Sequence, residues 1–78
     1  KYEIAPNPSN GSFMILGDNS FVKNVTIDVY NLAGQLITKR QVATNQTINL
    51  SDLLKIGHYT IVIDDGVRSN TQKLVIIN

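Results

Sequence analysis

The sequence predicts an all-β domain of about seven short antiparallel strands folded as a sandwich. Three observations carry that reading. Several stretches alternate apolar and polar residues with period two, turn residues separate them at short intervals, and no stretch carries the apolar spacing of an amphipathic helix. The clearest alternation is Gly57-His58-Tyr59-Thr60-Ile61-Val62-Ile63-Asp64, which sets Tyr59, Ile61 and Ile63 on one face. This strand is expected at the centre of the domain, with Ile27, Ile48, Tyr59, Ile61 and Ile63 largely buried.

Taken in order, Lys1 to Ala5 reads as an extended lead-in with Tyr2 and Ile4 on one face. Pro6-Asn7-Pro8-Ser9-Asn10-Gly11 follows as a rigid loop, because two prolines fix backbone angles and remove ladder donors and Asn-Gly favours a turn. Ser12 to Leu16 is the next strand, with Phe13 and Ile15 toward the core and Met14 and Leu16 on the other face. Gly17-Asp18-Asn19-Ser20 is a loop, and Val25 to Asn31 alternates with Val25, Ile27 and Val29 inward.

Leu32-Ala33-Gly34-Gln35 is a hairpin connector with Gly34 as its left-handed residue. Leu36 to Val42 returns with poor parity, which a bulge or an exposed edge explains. Gln46 to Leu50 is a short strand with Ile48 and Leu50 inward. Ser51 to Ile56 forms a tight corner holding one helical turn at most, and Gly57 relaxes the backbone where the next strand begins. A tyrosine placed as Tyr59 is, just after such a corner, is similar to the tyrosine corner of immunoglobulin-like sandwiches, where the hydroxyl bonds back to upstream backbone. Asp64 to Ser69 is a turn with an Asp-Gly signal. Asn70 to Asn78 is the last strand, with Leu74 and Ile76 inward and Lys73, Val75 and Ile77 outward.

Composition narrows the function classes. At 78 residues the chain is one domain. It buries only ~60–65% of its unfolded surface, so its stability margin is small. Hydrophobic residues make up 42% of it with no long charged run, so it folds. It has no cysteine, which removes disulfides, thiolate metal sites and a thiol nucleophile together. The net charge of +1 comes from seven basic and six acidic residues that are scattered, which argues against nucleic acid as partner. No apolar run approaches the ~20 residues that span a bilayer, so stable membrane insertion is not expected.

Single residues add no chemistry. His58 is the only histidine and reads as a surface or structural residue. Asp18-Asn19 and Asp64-Asp65-Gly66 lack the ligand count of a calcium loop and read as turns. Asn10-Gly11-Ser12, Asn24-Val25-Thr26 and Asn45-Gln46-Thr47 fit the glycosylation acceptor pattern at the rate expected by chance in an Asn- and Thr-rich chain. Paired carboxylates, Ser-His-acid order and a phosphate loop are all missing, so the chain is not expected to be an enzyme or to hold a cofactor.

Four fragments nevertheless form a pattern: Pro6-Asn7-Pro8 with Gly11; Val29-Tyr30-Asn31 with Gly34-Gln35-Leu36-Ile37; Leu53 with Gly57-His58-Tyr59; and Lys73-Leu74-Val75-Ile76. Their order and spacing resemble the C-terminal sorting domain of the type IX secretion system, in its type A form, over nearly the whole chain. The resemblance implies an immunoglobulin-like β-sandwich of about seven antiparallel strands at the C-terminus of a cargo protein. Residues 1–78 are then a single sorting domain cut from a larger secreted protein. Cargo in cis reaches the periplasm by general export, the outer-membrane translocation machinery reads the domain, and a sortase-like peptidase removes it. The cargo ends at the cell surface or in the medium.

Residue by residue, the resemblance carries recognition roles onto Pro6, Asn7, Pro8, Gly11, Gly57, Tyr59, Lys73, Val75 and Ile76, and a hairpin role onto Gly34. Family members often end on a basic residue, where this chain has Ile76-Ile77-Asn78. The competing reading is a fibronectin-like accessory module of a secreted enzyme or adhesin, binding carbohydrate or protein. Without tryptophan, and with Tyr30 as the one plausible outward ring, the sequence offers that reading little.

Overall fold

The architecture follows a computed structural model that describes residues 2–18 and 21–77. The expected placements of Lys1, Asn19, Ser20 and Asn78 lie outside the described residues. The described residues form seven strands and no helix: β1 (Glu3–Ala5), β2 (Ser12–Leu16), β3 (Asn24–Tyr30), β4 (Leu36–Ala43), β5 (Thr47–Asn49), β6 (Gly57–Asp64) and β7 (Ser69–Ile76). They make two antiparallel sheets, one ordered β1-β2-β5 and the other β4-β3-β6-β7. The fold is the expected β-sandwich, and β6 sits inside the wider sheet between β3 and β7.

Alternation builds the core. Phe13 and Ile15 of β2 face Val25, Ile27 and Val29 of β3, Ile61 and Ile63 of β6, and Leu74 and Ile76 of β7, all in one buried cluster. Each such side chain contributes about 1.5–3 kcal/mol on leaving water. Ile4 pairs with Ile15 and Ile48 with Phe13 in the narrow sheet, and Tyr2, Leu50 and Leu54 belong to the same cluster. The inward parity read from the sequence holds for β1, β2, β3, β5, β6 and β7, and β4, of poor parity in the sequence, has both a bulge and an edge position.

Strand β4 needs the bulge. Val29 pairs with Thr38 and Tyr30 with Leu36, so Ile37 is the extra residue between two rungs. Its side chain and that of Val42 pack against the core from the sheet edge. Arg40 lies opposite Ile27 yet is exposed, because β4 is the edge strand of the wider sheet. Strand β3 stops at Tyr30 rather than Asn31, because the Asn31 side chain is used in the turn: its Oδ1 accepts the N–H groups of Ala33 (3.0 Å) and Gln35 (2.9 Å). Gly34 has φ +82°, the left-handed conformation expected of it.

Tyr59 is half-buried rather than fully buried, and its hydroxyl explains why. It donates to the Lys55 carbonyl at 2.7 Å, on the exposed corner just upstream. The ring therefore packs on the core while its tip reaches the surface. This is the tyrosine corner expected from the sequence, at the start of the sixth strand. The turn beneath it is held by the Leu54 N–H donating to Leu50 O at 2.9 Å.

Candidate recognition surface at the clasped terminal strand

Strand β7 is an edge strand, and an edge leaves backbone groups unpaired unless something covers them. Here the loop after β1 does so. The chain leaves the narrow sheet at Ala5, passes two prolines in cis peptide linkage, and lays Ser9 beside Ile76 in a parallel bridge. Proline has no N–H, so residues 6–8 cannot run a regular ladder. The Asn7 side chain supplies the missing groups. Its Nδ2 donates to Lys73 O at 2.7 Å, and its Oδ1 accepts the Val75 N–H at 3.0 Å.

Ser9 completes the clasp. Its N–H donates to Val75 O at 2.8 Å, and its carbonyl accepts the Ile77 N–H at 2.7 Å. Its hydroxyl donates to Ser12 O (2.9 Å) and accepts the Gly11 N–H (2.9 Å), so every polar atom of this buried residue is used. Ser9 carries little signature in the sequence. The available signal was a short polar residue between a proline and an Asn-Gly pair.

Gly11 anchors the loop on the corner. Its carbonyl accepts the Leu50 N–H at 2.8 Å, and its φ is +108°. A Cβ there would stand 2.7 Å from Ser51 Cα, so the approach of the two backbones requires glycine. Gly57 pairs with Ile76 and Tyr59 with Leu74. The structure thus brings Pro6, Asn7, Pro8, Gly11, Gly57, Tyr59, Lys73, Val75 and Ile76 to one end of the sandwich, although the first and last are 70 positions apart.

Their exposures differ. Ile76 is buried, so it holds β7 in the core and presents no surface. Pro6, Asn7, Pro8 and Lys73 are exposed and Val75 is half-buried. Lys73 pairs with Thr60 and Val75 with His58 across the outer face of the wider sheet. A cleft of about 230 Å³, lined mainly by apolar surface, opens there between Leu32, His58, Tyr59, Thr60 and Lys73.

The opposite end of β6 and β7 carries the polar turn. Asp65 Oδ1 accepts the N–H groups of Arg68 (2.7 Å) and Val67 (2.8 Å), and Oδ2 accepts the Tyr2 hydroxyl at 2.8 Å. Those donors, the Arg68 N–H foremost, hold its carboxyl well below the usual carboxylate range, with Lys23 Nζ 3.5 Å away adding to the effect. Burial, followed by the Asp65 carboxylate, pushes the Tyr2 hydroxyl up. The Gln72 Nε2 donates to Tyr2 O, tying the lead-in to β7 at this end as well. Asp65 therefore does the turn work expected of it and also anchors the lead-in. Among the described residues, no three of His, Asp and Glu gather closely enough to hold a metal ion.

A family model for the secretion system C-terminal sorting domain matches residues 3–77 of this chain. No curated protein matches it.

Proposed function

The chain belongs to the secretion system C-terminal sorting domain family of the type IX system, and from that premise we propose that it acts as an address read on its folded surface and then removed by a sortase-like peptidase. Membership makes it a sorting signal for export to the cell surface or the medium, working with the secretion machinery on a cargo in cis. The cargo passes through the periplasm, and the outer-membrane translocation machinery engages the clasped end of the sandwich. The domain itself performs no catalysis.

One observation carries this reading: the opening loop and the terminal strand, far apart in sequence, are bonded to each other through Asn7 and Ser9 at one end of the fold. An address made of a single peptide would not need its two ends joined. A folded address does, because the exposed Lys73 and half-buried Val75 keep fixed positions only while β7 is held.

The test is export of a passenger. A folded reporter is fused ahead of the domain, behind a signal peptide, in a host that has the type IX system. It is expected at the surface or in the medium. A reporter that is folded and stable in the periplasm yet never leaves overturns the sorting reading, and an accessory binding module takes its place. Lys73→Ala sharpens the test. An exposed strand lysine contributes little to stability, so this variant is expected to melt like the parent and to be exported less well.

A further inference from the structure

The outer face of the wider sheet is uneven. Toward the Asp64 end, Asp28 is paired with Lys39, whose Nζ lies 3.0 Å from Oδ1, and the face is polar. Toward the clasped end it carries His58, Thr60, Lys73 and the half-buried Val75 around a cleft whose surface is mainly apolar. Leu32, at the tip of the β3–β4 connector, is 80% exposed and lines the cleft with His58, Thr60 and Lys73. Just beyond the Gly57–Ile76 pair, Ile56 and Ile77 are 70% and 49% exposed. Single exposed apolar residues are ordinary, and Phe21, Val22 and Val67 are exposed elsewhere, but Leu32 lines a cleft beside an exposed lysine. Among the described residues no carboxylate pairs with Lys73.

We infer that this end of the outer sheet face is a docking surface for a protein partner that sets an apolar side chain against Leu32 and a carboxylate beside Lys73. The inference rests on the sorting reading above and names the surface and partner chemistry it uses. The clasp selects the face over the edge. Asn7 and Ser9 already occupy Lys73 O, Val75 N, Val75 O and Ile77 N, so a partner cannot add a strand there.

Charge selects the occupant. A lysine without a carboxylate partner among the described residues, beside an apolar cleft, is complemented by an acidic group next to an apolar one. A second copy of this chain fits poorly, since a twofold contact brings the same lysine in from both sides. A lipid surface is held by clusters of basic residues, whereas the cleft offers Lys73 among Leu32, His58 and Thr60.

The experiment uses the exported reporter fusion. Surface reporter is measured for the parent, Leu32→Glu, Lys73→Arg, Lys73→Ala, Lys73→Glu and a distant control, Val67→Glu. Val67 is 86% exposed in the turn at the opposite end of β6, so it reports the effect of an added surface charge alone. Melting temperature confirms folding of each, and Leu32→Ser replaces Leu32→Glu if the latter melts early. The expected order is parent and Lys73→Arg together, then Lys73→Ala, then Lys73→Glu. Leu32→Glu should fall about tenfold, the scale of a contact residue at the centre of an interface, and Val67→Glu should match the parent.

Normal export of Leu32→Glu overturns the docking surface, as does an equal loss in Val67→Glu. Equal export of Lys73→Ala and Lys73→Glu removes the carboxylate from the partner and overturns the proposal. Two measurements on the purified fusion test the other occupants. Co-sedimentation with phosphatidylglycerol vesicles, or a dimer by analytical ultracentrifugation, overturns it if either is abolished by Leu32→Glu. A parent fusion that stays in the periplasm overturns the sorting reading, and this inference with it. Export of the parent with normal export of the variants overturns this inference alone.

Discussion

Asn7 and Val75, 68 positions apart, are joined by the Val75 N–H donating to Asn7 Oδ1 at 3.0 Å, while Asn7 Nδ2 donates to the neighbouring Lys73 carbonyl at 2.7 Å. One side-chain amide thereby does for the β7 edge what a backbone peptide group does in a regular ladder. Asn7→Ala removes both bonds, but water reaches the exposed edge groups. The expected loss is about 1–2 kcal/mol, read as a lower urea midpoint. Asn7→Asp keeps the acceptor for Val75 and turns an anionic oxygen toward the Lys73 carbonyl, so it should lose at least as much at neutral pH. In both variants the Val75 amide should exchange faster than in the parent, while amides of β3 should change only with global stability. Unchanged exchange at Val75 would show that the clasp does not hold the strand.

Gly11 and Gly34 separate two costs of a side chain. Both have positive φ, +108° and +82°. At Gly34 an added Cβ meets nothing within 4 Å, whereas at Gly11 it lies 2.7 Å from Ser51 Cα. Gly34→Ala should therefore cost about 1 kcal/mol, the conformational term alone. Gly11→Ala adds a backbone collision and should cost ~2–4 kcal/mol. Chemical denaturation of the two variants checks the difference, and equal losses would refute the close approach of the loop and the corner.

Ile61 and Tyr59 lie two positions apart on the same inward face of β6 and should respond differently. Ile61 is fully buried, so Ile61→Ala should cost ~2–5 kcal/mol. In a domain this small such a loss unfolds a large fraction of molecules. Tyr59→Phe keeps the ring and removes only the bond to Lys55 O, an expected cost of about 0.5–1.5 kcal/mol. A loss at Ile61 below about 0.5 kcal/mol would place it at the surface and undo the parity of the strand.

Asp65 should contribute to the acid limb of stability. Its carboxyl is held low in the folded state by the Arg68 and Val67 N–H groups and the Tyr2 hydroxyl. A depressed folded-state value stabilises the fold above the ordinary carboxylate range near ~4. That contribution is lost as pH falls from about 5 through and below that range. Tyr2 behaves in the opposite sense. Its raised value stabilises the fold below the ordinary tyrosine range near ~10 and is lost as pH rises beyond it. Thermal melts from pH 7 down to pH 2 should show Asp65→Asn less stable than the parent at neutral pH. Its acid decline should also be shallower. An unchanged pH profile would remove Asp65 from the acid transition.

What is local is legible in the sequence alone. Side-chain alternation has period two, so the inward set of β2, β3, β5, β6 and β7 could be read strand by strand, including Leu74 and Ile76 at the end. Turn chemistry is equally local, as at Gly34 and Asp65. Strand pairing depends on the whole fold. No window of sequence shows that Ile37 is expelled between Thr38 and Leu36 to bring β4 into register with β3, because the bulge exists only against a partner strand. No window shows that Asn7 and Ser9 close the edge of β7, or that Tyr2 meets Asp65, because those contacts join residues more than 60 positions apart. The candidate surface divides the same way. Its residues were legible as motifs, but their meeting at one end was not, nor was the burial of Ile76 beside the exposure of Lys73. Which groups share a surface depends on how two sheets stack, and that is settled only when the whole core closes.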